Sequence, residues 1–351
     1  MVRSQFGDGD ESLPPEEIRQ RILNDLETMA VLPSLPQVCQ RILQLAKNPD
    51  SEIREWIETL RADPMTCAMI LRHAHSAAYG FQGEVNSIDR AVPLLGKNTI
   101  KNLVVCDAIR RTFIAVSESG FSLDSFWLHS AAVGFAARIL SFPLDEERWT
   151  AEQQLEFEGF KLSDEEVASL KEIDLPKRLK LADEDAFLGG MMHDLGIVVM
   201  VSSYPDLYPL LVEELKAHEW GETLQAIEES ITQGLTHATV GEIIAEKWNL
   251  EEGLRTVIKF HHHADVGDRF SFLVGVADVL GEVLYPLPEE ATYPLGEAFE
   301  TGELKRVARF LPEGFFDQDQ LSSEELVTLA KAVFPAVKRL SEEMRDSIFG
   351  G

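Results

Sequence analysis

Residues 184–201 are apolar on nearly every side, yet His193 and Asp194 stand side by side in their middle. A helix of that composition has to lie at the centre of a fold. An imidazole and a carboxylate buried within it are costly unless other segments bring them partners. The chain carries such partners in a fixed order, each in a segment that reads as apolar helix. His129 lies at the edge of the core stripe in residues 126–140, and His237 starts the helix 237–248. The run His261-His262-His263 ends the helix 251–262, and Asp278 sits between Ala277 and Val279 in 270–284. Any one of these histidines alone reads as a core residue satisfied by hydrogen bonds. The ordered set predicts that several helices converge on one point.

The rest of the chain is consistent with an all-α fold. A first helix is expected at 16–29, after a polar tail. Short helices follow, with start signals at Ser34, Ser51, Asp63-Pro64, Ser87 and Asn98 and a stop at Gly96. Asp63-Pro64 is an N-cap followed by proline at the first helical position. No alternating strand pattern interrupts them. Small residues from Ser130 to Ala137 predict close approach of a neighbouring backbone, and helices are expected at 206–218 and 222–233. Ser322 and Glu325 form a capping box for a terminal helix that Pro335 should bend or break. The expected organisation is a tail and helix at 1–30 and an N-terminal short-helix bundle at 31–118. That bundle packs against a helical core at 119–285 with an acidic insertion near 143–182, and a helical extension occupies 286–351.

The 351 residues are 45% hydrophobic and 26% charged, as in a globular protein of about two domains. The net charge of −28 is uneven: −3 over residues 1–120 and −25 over 121–351. Such a field repels phosphate backbones and anionic lipid, so neither nucleic acid nor a membrane surface is expected as a partner. The nearly neutral N-terminal part is the better place for a protein partner. Cys39, Cys67 and Cys106 form no close pair and read as reduced core residues. With no signal peptide at the start and no run reaching membrane-spanning length, a cytoplasmic location is expected.

Imidazole and carboxylate suit divalent Zn, Mn, Fe or Ni. One ion could take His129, His193, Asp194 and Asp278. A second could share Asp194 and take His237, His261 and His262, with His263 as an outer neighbour. Two ions side by side suit phosphoester hydrolysis. The competing reading is a metal-free polar network in which the same side chains satisfy one another.

At this point the residues resemble the HDOD family, relatives of HD-domain phosphohydrolases found in bacterial signalling. LPSLPQVCQRILQLAKNPD, RADPMTCAMILRHAHSAAYG and SIDRAVPLLGKNTIKNLVV are similar to that family's N-terminal half. FLGGMMHDLGIVVM, HATVGEIIAEKWNL and TVIKFHH are similar to its HD core. The resemblance implies an HD-like helical core beside an N-terminal bundle, and a signalling role through a protein partner more than a defined reaction. It implies that His129, His193, Asp194 and Asp278 are HD-type ligands. His237, His261 and His262 resemble the extra ligands of HD-GYP phosphodiesterases. Three departures stand out: Ile197 occupies the position of a lysine in H-D-x-G-K, the G-Y-P element is missing, and His75 replaces an asparagine. The expectation is a regulatory module with a centre for one or two divalent ions, a possible nucleotide ligand and weak or no hydrolase activity. The alternative is a metal-dependent phosphohydrolase or phosphodiesterase acting on a nucleotide or cyclic dinucleotide.

Overall fold

The first helices build one small bundle. In the computed structural model, which describes residues 15–28, 34–75, 85–113, 121–141, 156–157, 160–171, 185–263, 268–312 and 322–346, α1 spans Pro15–Glu27, α2 Gln37–Ala46, α3 Ile53–Arg61 and α4 Pro64–Ala74. The next, α5, covers Ile88–Thr112, and α2, α3 and α4 all pack on it. Asp63 caps α4, accepting a hydrogen bond from the Met65 N–H at 3.0 Å, and Pro64 fills the first turn. Gly96 marks the expected stop as a sharp kink rather than an end: its φ of 79° breaks the helical run inside α5, and the chain resumes helix at once.

Six helices surround the second core: α6 (Leu123–Ser141), α8 (Ala186–Met192), α9 (Leu195–Ser203), α12 (His237–Lys247), α13 (Glu252–Phe260) and α14 (Arg269–Leu284). Between them run α7 (Asp164–Lys171), α10 (Leu207–Ala217) and α11 (Leu224–Thr232), and a two-residue ladder pairs Glu156–Phe157 with Phe160–Lys161. After α14 come α15 (Leu295–Thr301), a 3-10 turn at Leu304–Phe310 and α16 (Ser323–Met344). Among the described residues the fold is all-helical apart from that ladder. The expected tail and most of the acidic insertion lie outside the described residues.

Three expectations need correction. The central 184–201 segment is not one helix. The chain turns at His193 and Asp194, so these two side chains project from a junction between α8 and α9. The stretch Ala186–Ser203 is also long and apolar enough to cross a bilayer by composition, with mean hydropathy 1.4, but 89% of it is buried inside the protein. Lastly, of the bend or break expected at Pro335, the break does not occur: α16 runs through it without ending. Pro335 and Lys331 are both exposed, so the carbonyl that the proline leaves without its helical donor is open to water.

Small residues set the close contacts around the second core. A Cβ on Gly190 would lie 2.7 Å from Gly134 Cα, so α6 and α8 cross where neither has a side chain. The α6 helix is also packed by α14 and α16. The two bundles share one continuous hydrophobic core, and a partly buried ion pair joins Lys101 of α5 to Asp185 at the start of α8. None of the three cysteines forms a disulfide; Cys39 and Cys106 are buried, whereas Cys67 is only partly so.

The α7 and α16 helices are joined by Arg339, whose Nε and Nη2 donate to both oxygens of Glu166 at 3.0 and 2.7 Å. Burial pushes the Glu166 carboxyl up, but the bonds from Arg339 and the Ser163 N–H outweigh it and hold it below the usual glutamate range. A carboxyl with a folded pKa below its unfolded one stabilises the protein above that range and loses the contribution as the pH falls through it. Glu166→Gln is therefore expected to melt lower than wild type at neutral pH. In thermal melts across pH, the two curves should meet once the solution is more acidic than the carboxylate range.

Candidate metal centre

The seven side chains singled out in the sequence all meet in the second core. They come from α6 (His129), the α8–α9 junction (His193, Asp194), the first residue of α12 (His237), the end of α13 (His261, His262) and α14 (Asp278). They form two groups, His129 with His193 and Asp278, and Asp194 with His237, His261 and His262. Within each group, ligand atoms lie within 4.8 Å of one another.

Asp194 joins the groups, one oxygen to each. Its Oδ2 is 3.2 Å from His193 Nε2 and 3.9 Å from His129 Nε2. Its Oδ1 is 3.2 Å from His237 Nε2 and 3.6 Å from His261 Nε2. Asp278 Oδ1 completes the first group at 3.3 Å from both His129 and His193 Nε2. His262 Nε2 lies 3.0 Å from His237 Nε2 in the second.

The far side of four rings fixes which nitrogen faces inward. Nδ1 of His129 donates to the Tyr285 carbonyl at 2.9 Å, and that of His193 to the Gly190 carbonyl at 2.6 Å. Nδ1 of His261 donates to the Ile258 carbonyl at 3.0 Å, and that of His237 to Glu228 at 2.7 Å. A carbonyl accepts only, so in the neutral rings the proton is on Nδ1 and the Nε2 lone pair is left bare. The Nε2 atoms of His129, His193 and His261 are buried with no hydrogen-bond partner among the described residues. Bare lone pairs converging on carboxylate oxygens repel unless protons or a cation lie between them. Two nitrogens bound at right angles to one ion at about 2.1 Å would stand about 3.0 Å apart. The His237–His262 separation matches that figure, which is also the length of a hydrogen bond between the two rings. The donor set therefore fits divalent ions, and its outer hydrogen bonds are those that orient metal-binding imidazoles.

Electrostatics without an ion are divided. Burial raises the carboxyls of Asp194 and Asp278, but the surrounding imidazoles outweigh it and hold both below the ordinary range. Burial disfavours charge on His193 and His237, yet Asp194 with Asp278, and Glu228 with Asp194, override it; the His237 pKa rises to about 9. Burial and the neighbouring imidazoles lower His261 and His262. Binding divalent ions would release protons from the raised rings, so affinity should fall with acid.

Three glycines let backbones close on the cluster. A Cβ on Gly196 would stand 1.9 Å from the His237 carbonyl oxygen, and one on Gly275 2.1 Å from that of His261. A Cβ on Gly281 would meet Val133 at 2.5 Å. One side of the cluster opens to a cavity of about 620 Å³ lined by Asp194, His237, His262, Asp278, Ile197, Glu282, Tyr293 and Arg309, among others. His263 lines it too, whereas His218 is exposed at the end of α10.

Sequence reasoning missed Glu228 and Glu282. Glu228 lies nine residues before His237 on α11, one element earlier, and accepts from both the ring and the backbone N–H of His237. Glu282 follows Asp278 by one helical turn, a spacing that could have flagged it. Burial lifts its carboxyl to about 8 against the pull of His129. Glu228→Gln should weaken metal binding about 10–100-fold in equilibrium metal titrations while the protein stays folded. An unchanged affinity would remove Glu228 from the centre.

A profile of the HDOD domain matches residues 32–155 and 150–264, which together cover more than half of the chain. An HDOD domain protein of unknown function from Geobacter sulfurreducens is 19% identical, with a TM-score of 0.62 over 94% of this chain and 98% of its own. A protein provisionally named a phosphohydrolase from Shewanella amazonensis SB2B is 20% identical, with a TM-score of 0.60 over 92% of this chain and 97% of its own. These two share the fold. An uncharacterized protein from Treponema pallidum is 23% identical over 232 residues, 66% of this chain, but the match covers only 38% of that protein's length.

Proposed function

Because the chain belongs to the HDOD domain family, we propose that it is a regulatory protein of signal transduction. Its second core holds two divalent ions and binds a phosphorylated, nucleotide-sized ligand beside them, with little or no turnover. The observation that carries this reading is Asp194, whose two oxygens face two separate groups of inward-pointing imidazoles. In this reading His129, His193 and Asp278 hold one ion, His237, His261 and His262 the other, and Asp194 both. Ions of the Fe, Mn, Ni or Zn class would supply Lewis-acid stabilisation to phosphate oxygens.

What the chain's own residues supply beyond that is modest. Ile197 gives the cavity wall no charge where a lysine would contact a phosphate. The wall carries Asp194, Glu229, Asp278 and Glu282, and its arginine, Arg309, is tied to the Gly221 carbonyl at 2.7 Å and to Glu222. Binding without efficient turnover follows from ions that attract phosphate and a wall that does little to orient it. The output is a protein contact, placed on the less acidic bundle at 31–118, with the core taken as 119–285.

A second reading, a metal-dependent phosphohydrolase, is favoured by the opening of both groups to the same cavity. Purification without chelator or nickel resin, followed by elemental analysis and a phosphoester panel with Mn, Fe, Ni and Zn, separates the two. About two ions per chain with only trace turnover supports the regulatory reading. Enzyme-like turnover, on the order of 1 per second or faster, would establish the hydrolase instead.

A further inference from the structure

Where the N-terminal bundle meets the second core, α2 and the end of α12 enclose a crevice of about 260 Å³. Lys47, Lys247, Gln40, Gln44 and Trp248 line it, and none of the described lining residues is acidic. In a chain with 60 acidic and 32 basic residues, two lysines sharing a crevice with no carboxylate stand out.

Lys47 donates to the Asn249 carbonyl at 2.8 Å, which uses one of the three protons of its ammonium. The Lys247 Nζ has less than 1 Å² of accessible surface and no hydrogen-bond partner among the described residues. An ammonium removed from water with nothing to bond carries a cost that an anion beside it would offset. Lysine is a long, flexible side chain that reaches such an anion by rotation about its own bonds. Trp248 packs against Phe113 of the bundle at 6.3 Å between ring centroids, which gives the crevice a firm apolar side.

We propose that this crevice binds a small dianion of the phosphate-monoester class, gripped by Lys47 and Lys247 with the Gln40 and Gln44 amides as hydrogen-bonding neighbours. Two ammonium groups match a double negative charge, and the volume is below the range that accommodates a drug-sized ligand. The α12 helix starts at His237 in the metal centre and ends at Lys247 in the crevice. Eleven residues of helix make a rod of about 16 Å, so a ligand in the crevice holds the far end of an element that carries a site imidazole.

The test is calorimetric titration of inorganic phosphate into the full chain in chloride buffer. One phosphate per chain beyond any held at the metal centre is expected, with affinity at that site reduced about tenfold in Lys247→Met and in Lys47→Met. Lys331→Met, an exposed lysine on α16, should bind like wild type. Lys47 is itself exposed, so its variant keeps the test open if Lys247→Met fails to fold. Equal affinity in wild type and the crevice variants would place any bound phosphate elsewhere, at the metal centre for example, and would overturn the proposal. So would the absence of phosphate binding at millimolar concentrations; the two lysines would then serve only the carboxyl ends of α2 and α12.

Discussion

Asp194→Asn is expected to abolish two-ion binding and to lower stability by about 3–5 kcal/mol. The substitution keeps shape and removes charge. In the wild type, Oδ1 and Oδ2 each lie 3.2 Å from an Nε2 whose ring is fixed from behind. An amide presents N–H where one of those oxygens stands, so one group of imidazoles loses its shared acceptor whichever way the amide turns. Without metal part of the loss persists, because that carboxylate, with Asp278 for His193 and behind Glu228 for His237, supplies counter-charge to the raised rings. Thermal melts with and without chelator, paired with elemental analysis, measure both parts. A variant that melts like wild type and keeps about two ions per chain would remove Asp194 from the centre.

Gly196→Ala is expected to destabilise the protein by about 3 kcal/mol, at the upper end of what overpacking costs, and to take metal binding with it. The added methyl would stand 1.9 Å from the His237 carbonyl oxygen and 2.9 Å from the Gly241 nitrogen, both main-chain atoms that no side-chain rotation can clear. The α9 and α12 helices would have to separate, moving Asp194 and His237 apart at the same time. Gly253→Ala is the contrast. Its Cβ would meet nothing within 4 Å, and an exposed helical glycine exchanged for alanine should gain about 0.5–1 kcal/mol. Chemical denaturation of the two variants in parallel distinguishes crowding from a general effect of alanine. A Gly196→Ala protein as stable as wild type would contradict the close approach.

The helices and the cluster were legible for the same reason: each depends on short-range pattern. Asp63-Pro64, Ser322 with Glu325, and the apolar spacing around His129 and Asp278 declare themselves locally. The turn at His193-Asp194 was not legible, because Gly190 and Gly196 lie close to it but the apolar pattern runs on through both. Its cause is tertiary: the junction brings both side chains into line with the opposing imidazoles. Pro335 misled in the opposite direction, since a local rule predicts a break that an exposed carbonyl made unnecessary. Glu228 could not be found from spacing, because its bond to His237 is made between two separate helices.

On the proposed reading, the two groups of side chains that meet at Asp194 hold one ion each, with its carboxylate between them. Anomalous diffraction from crystals grown with Mn or Zn and no chelator tests it most directly. The prediction is two peaks, one among His129, His193 and Asp278 and one among His237, His261 and His262, with Asp194 between them. No peak among these imidazoles, or ions found only at the acidic surface, would contradict it.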